Sequence, residues 1–140
     1  MKRKIVLASH HQLAAGLADT LKFIAGDMAN EMVITLTTYM DNQPVEAQVQ
    51  KVMATFPEDT EVVVLTDMMA GSVNQKFFGY RTRPHTHIVS DMNLPLALAF
   101  TMESTAQYIS SDRVRQIVAE AKDAIVYINE FQPDEDDDDE

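Results

Sequence analysis

Apolar residues occur along this chain in short continuous runs separated by stretches of helical spacing. Ile5 to Ala8 is the first run, Glu31 to Tyr39 contains a second rich in β-branched residues, and Glu61 to Thr66 is the third and clearest. Runs of this length predict strands, and the unbroken ones predict strands covered on both faces, as in parallel sheets. His87 to Ser90 predicts a fourth strand. Between them, Leu13, Leu17, Leu21 and Ile24 recur at helical spacing beside Ala14, Ala18 and Ala25, with Gly26 as a stop signal. Pro44 suits the first turn of a helix whose buried face is Val45, Val49, Val52 or Met53, and Phe56. A short helix follows from about Val73 to Tyr80, and another runs from Pro95 through Leu98 and Met102. Ser111-Asp112 is placed to cap a last helix facing inward with Val114, Ile117, Val118, Ala121 and Ile125. β-Branched residues crowd at 125–129, which predicts a fifth strand at a sheet edge, with continuation of the helix as the alternative. Strands alternating with helices define a doubly wound, mostly parallel α/β domain of four strands with helices on both faces.

Composition narrows the functional classes. The 140 residues suit one domain, and an apolar content of 46% suits a packed core. No apolar stretch nears the roughly 18 residues that a membrane span requires. Met1-Lys2-Arg3-Lys4 imitates the start of a signal peptide, but the apolar run behind it is too short. Without cysteine there is no disulfide framework, thiol nucleophile or thiolate metal site, and a cytoplasmic location fits. The net charge is −11, of which residues 134–140 supply −7, leaving −4 elsewhere. The expected division is therefore a domain over 1–132 and a disordered acidic tail over 133–140. The mildly acidic body has no basic stripe, which argues against nucleic acid and against an anionic membrane surface.

Candidate chemistry gathers where the strands end. In an open α/β sheet, ligands collect at the carboxyl ends of the strands. Three loops should leave that edge together: Ser9-His10-His11, Thr66 to Ser72, and Asp91 to Leu94. A neutral imidazole nitrogen is a good phosphoryl acceptor when its other nitrogen keeps its proton and the ring is held. His10 is the candidate nucleophile, and Asp67 the carboxylate that would fix its tautomer. Ser72, Gly71 and Thr66 are candidates for holding phosphate oxygens, with the following helix start. No GxxxxGK[ST], GxGxxG or GxSxG pattern occurs, so a P-loop kinase, a dinucleotide fold and a serine hydrolase lack their signatures. His85 and His87 share a strand face, but His85 begins its strand at the edge opposite His10, so no metal site and no cofactor are expected. Met28, Met32, Met53 and Met102 read as core fillers, while Met68, Met69 and Met92 lie in the loops as a docking collar or buried packing.

With these motifs, the sequence resembles the IIA subunits of the mannose-type (mannose/fructose/sorbose) phosphoenolpyruvate:sugar phosphotransferase system. The matching segments are Ile5-Val6-Leu7-Ala8-Ser9-His10 with Ala14 and Gly16, Val63-Val64-Leu65-Thr66-Asp67 with Gly71-Ser72, and Asn93-Leu94-Pro95. The resemblance runs from about residue 3 to 130. It implies that His10 is the phosphorylated histidine and Asp67 its orienting partner. The phosphoryl group would come from the carrier protein HPr and pass to a IIB domain, which serves a IIC/IID membrane complex. It also implies a homodimer in which an antiparallel C-terminal strand is exchanged, suiting residues 125–129. Two departures stand out: His11 follows the active histidine where the family usually has glycine, and Ala70-Gly71-Ser72-Val73 replaces Gly-Gly-Ser-Pro. The alternatives are the phosphotransfer subunit of a dihydroxyacetone kinase and a regulatory or binding module that keeps the fold without transfer.

Overall fold

The protein's structure, a computed structural model, describes residues 1–133. Strands β1 (Arg3–His10), β2 (Val33–Thr38), β3 (Glu61–Thr66) and β4 (Thr86–Val89) form one sheet in the order β2-β1-β3-β4. Every pairing is parallel, with Ile5 opposite Val33 on one side and Val63 on the other.

The continuous apolar runs resolve into alternation across the sheet. Ile5, Leu7, Val63 and Leu65 face one layer, while Val6, Ala8, Val62 and Val64 face the other. Helices α1 (Leu13–Ala25), α2 (Asp27–Met32), α5 (Leu94–Met102) and α6 (Ser111–Asp123) cover the first face. Helices α3 (Val45–Ala54) and α4 (Ser72–Phe77) cover the second. Both faces of β1 and β3 therefore need apolar side chains, which is why their sequences show no polar interruption. The doubly wound four-stranded domain read from the sequence is the fold observed. Because the chain leaves β1 toward one layer and β3 toward the other, a crevice opens between their carboxyl ends.

The opposite edge is closed by charge. Arg3 and Glu61 are both fully buried, with Arg3 Nε donating to Glu61 Oε1 at 2.5 Å. The Arg3 guanidinium also donates to the carbonyls of Glu103 and Ser104, and Glu61 Oε2 accepts the Ile109 N–H. A buried pair is tolerable when its remaining donors and acceptors are satisfied in this way. His87 Nε2 donates to the Ile109 carbonyl at 2.9 Å, and His85 stacks on Tyr108. Both histidines thus hold residues 103–110 against the sheet, and His85 lies just before β4 rather than in it.

Several local expectations give way. Residues 125–129 form no strand: 125–127 are irregular and Ile128–Glu130 is a single 3₁₀ turn. Strand preference depends on a partner to pair with, and among the described residues no strand pairs with this segment. Its Ile125 and Ile128 side chains are 77% and 72% exposed. Helix α6 is capped by Ser110, whose Oγ accepts the Arg113 N–H, one residue ahead of the expected Ser111-Asp112. Met53 is buried and Met32 packs on the core, but Met28 and Met102 are exposed. Leu13 and Ile24 also face solvent, so α1 packs through Ala14, Leu17, Ala18 and Leu21. Among the described residues no helix is long and apolar enough to cross a membrane. The acidic run, residues 134–140, lies outside the described residues.

Candidate active site

Register places the His10 imidazole. β1 stays paired to β2 as far as His10 opposite Thr38, but its pairing with β3 ends at Ala8 opposite Thr66. Where β3 turns away, the Asp67 carboxylate takes over: its Oδ2 accepts the His10 N–H at 2.8 Å. The same oxygen lies 2.6 Å from His10 Nδ1. One carboxylate thereby fixes both the backbone and the ring of His10. A carboxylate can only accept, so Nδ1 carries a proton, and in the neutral imidazole Nε2 keeps its lone pair. Nε2 points to the opening, 3.4 Å from Ser72 Oγ. The His10 side chain remains 37% exposed, while that of Asp67 is largely covered. Burial pushes the Asp67 carboxyl up, yet the bonds from the His10 amide and ring, and the charge of the His10 ring in its protonated form, outweigh it. The group therefore lies below its ordinary 3.8.

The supporting loops are tightly knit. Ser9 is buried, and its hydroxyl accepts the Ala14 N–H at 2.7 Å, starting α1 where the cap residue Gln12 makes no side-chain bond. His11 has φ +50 and donates its N–H to the Thr38 carbonyl. This left-handed turn is the physical reason a glycine would suit the position after the histidine. Gly71 precedes α4 and packs against the ring: a Cβ there would stand 3.1 Å from His10 Cε1.

The structure thus brings His10, Asp67, Gly71 and Ser72 together. Thr66, also expected among the phosphate-binding residues, is buried, and its hydroxyl donates to Asn74 Oδ1 at 2.8 Å. It supports the loop rather than facing the crevice. The Asp91–Leu94 loop also braces from behind: Asp91 Oδ2 accepts the Met69 N–H. Asn93 caps α5 through the Leu96 N–H and donates to the Ala121 carbonyl of α6. Met68 and Met69 are exposed beside the site, whereas Met92 packs on the core. Among the described residues no three potential ligands of the His, Asp or Glu type converge on a metal position.

Sequence reading missed Tyr39. Its ring stacks on His10 with centroids 5.1 Å apart and planes 13° from parallel. Its hydroxyl lies 2.5 Å from Ser72 Oγ. Pairing of β2 with β1 was the available signal, because the residue leaving β2 must then emerge beside His10.

Fold and site together define a class: an open parallel α/β domain presenting one carboxylate-oriented imidazole at its topological switch point. Comparison with known proteins narrows the class. Residues 4–123 match the family described as the PTS system fructose IIA component. The chain belongs to this family of sugar phosphotransferase IIA components. No curated protein matches it by sequence. A crystal structure described as a phosphoenolpyruvate-dependent sugar phosphotransferase system permease from Klebsiella pneumoniae is 34% identical, with a TM-score of 0.85 over 93% of each chain. A PTS IIA protein associated with the fucose utilization operon of Streptococcus pneumoniae is 25% identical, with a TM-score of 0.74 over 92% of this chain and 95% of its own. The mannose/sorbose-specific IIA subunit from Enterococcus faecalis, at 18% identity, shares the fold with a TM-score of 0.75 over 96% and 98% of the two chains.

Proposed function

We propose that this protein is the phosphohistidine relay of a sugar phosphotransferase system, acting in the cytoplasm through the domain formed by residues 1–132. His10 Nε2 attacks the phosphorus of phospho-HPr. Its lone pair forms the new N–P bond while the N–P bond to the donor imidazole breaks and that ring recovers its electron pair. Asp67 holds the Nδ1 proton and balances the positive charge that develops on the ring. Ser72, with backbone N–H groups at the start of α4, receives the phosphoryl oxygens. The reverse geometry then passes the group to a IIB domain, which supplies the IIC/IID membrane complex. Both steps exchange one phosphohistidine for another, so the enzymatic role is that of a phosphotransferase component.

The observation that carries this reading is the 2.6 Å contact between Asp67 Oδ2 and Nδ1, which in the neutral ring leaves the Nε2 lone pair free beside Ser72. Exposed Met68 and Met69 offer an apolar rim to the protein donors. A homodimer would cover the exposed Ile125, Tyr127 and Ile128. Incubation with phosphoenolpyruvate, enzyme I and HPr should place an acid-labile, base-stable phosphate on the protein. The label should vanish in His10→Ala. Failure of the wild type to label while HPr is charged would overturn the proposal.

A further inference from the structure

Tyr39 sits at the rim of the site in a backbone conformation that its side chain disfavours. Its φ is +62, in the left-handed region, where a bulky residue is a strained outlier. Tyr39 as a whole is 45% exposed, so burial does little to offset that strain. Its predecessor Thr38 is fixed, being buried, donating its hydroxyl to the Ser9 carbonyl and accepting the His11 N–H. The left-handed turn therefore has one evident result: it folds the phenol back over the imidazole. Strain of this kind concentrates where placement serves function.

The proton count gives the phenol a task. Nδ1 of His10 is the donor to Asp67, so in the neutral ring, the form that can take a phosphoryl group, Nε2 offers only a lone pair. A hydroxyl bonded to that lone pair donates to it, and Ser72 Oγ faces it at 3.4 Å. Ser72 has one proton. Across its 2.5 Å contact with Tyr39 it must then accept, which makes the phenol the donor.

Building on the relay reading, we propose that Tyr39 is a positioning residue of the phosphoryl site: its O–H orders the Ser72 hydroxyl, and its ring covers one face of His10. In the resting protein, the chain from Tyr39 through Ser72 to Nε2 presets the Ser72 proton toward the nucleophile. When the Nε2 lone pair forms the N–P bond, that proton swings to a phosphoryl oxygen. Tyr39 continues to donate to Ser72, and neither hydroxyl changes its proton count. Chains of this kind strengthen one another in a partly desolvated site.

Two measurements test the assignment. In the unphosphorylated protein, the ¹⁵N resonance of His10 Nε2 should move toward that of a nitrogen without a hydrogen bond in Tyr39→Phe, which keeps the ring. An unchanged resonance would overturn the proposal, and this result does not depend on phosphoryl transfer. In single-turnover transfer from phospho-HPr, Tyr39→Phe and Ser72→Ala should each slow uptake about threefold to tenfold. The double variant should be no slower than Ser72→Ala alone, because the phenol acts through the serine. Independent, multiplicative losses would overturn it. If the wild type itself takes no phosphate, the relay reading fails, and the resonance alone decides whether Tyr39 orders Ser72.

Discussion

Gly71→Ala separates the geometry of the site from the stability of the fold. A Cβ at position 71 would lie 2.8 Å from Met68 Cγ, 3.1 Å from His10 Cε1 and 3.3 Å from the Met68 carbonyl oxygen. Carbon atoms settle at about 3.5–4.0 Å, so the contact with the ring is short by about 0.4 Å. Met68 is half-exposed and can swing aside. His10 has less freedom, because the Asp67 bond holds it on one side and the Tyr39 ring lies over it. Gly71 itself has φ −81 and ψ 157, which alanine adopts without strain. Alanine also restricts the unfolded chain, which offsets part of the crowding by about 0.4–1 kcal/mol. Net stability should stay within about 1 kcal/mol of the parent, or about 4 °C in Tm. Transfer should suffer more. A misplacement of about 1 Å can cost about 100-fold, so a few tenths of an ångström implies a loss of about threefold to tenfold. Quench-flow uptake from phospho-HPr, beside a thermal melt, reads both quantities. Uptake within twofold of the parent would refute the claim that Gly71 is there to admit the ring, as would a fall in Tm beyond about 8 °C.

Other perturbations should behave as follows. His11→Gly relieves a left-handed non-glycine residue and should raise stability by about 1 kcal/mol in denaturant titration; an unchanged midpoint would contradict it. Arg3→Met leaves Glu61 buried without its partner and should cost about 3–5 kcal/mol, whereas Arg3→Met with Glu61→Leu should recover much of that loss in the same titration. Asp67 titrates below 3.8 in the folded chain, so it binds its proton more weakly there than when unfolded. Its stabilising contribution is therefore complete above the ordinary carboxylate value and disappears as pH falls through the folded one. The stability gap between the parent and Asp67→Ala should shrink as pH falls below about 4; a gap unchanged between about pH 5 and about pH 3 in denaturant titrations would contradict it.

The fold was legible because both layers constrain the same residues. In β1 and β3 each neighbour faces a different core, so the apolar run, the strand and the parallel sheet are one fact seen three ways. His10 and Asp67 were legible because chain order places both at the switch point. Tyr39 was not, since a left-handed turn at a tyrosine carries none of the glycine or asparagine signals that mark such turns. Thr66 looked chemical by its position, but its hydroxyl is spent inside the loop on Asn74. Residues 125–129 have strand composition without a strand, because β propensity describes a surface to fit rather than a backbone preference. Exposed Met28 and Met102 show the same limit: helical spacing identifies a face but not whether anything covers it.

The Arg3–Glu61 pair also bears on how the molecule is made. Arg3 is completed by carbonyls 100 and 101 residues later in the chain, and Glu61 by an N–H 48 residues later. A ribosome adding about 5–20 residues per second has released β1 and β3 seconds before residues 103–109 emerge. Through that interval, the charged end of the sheet has no cover and keeps its water. Docking of the 103–110 loop is thus the event that seals this end of the sheet, and the His10–Asp67 edge is built from segments already synthesised. In a nascent chain the segments carrying His10 and Asp67 are therefore made before the one that covers the charged end.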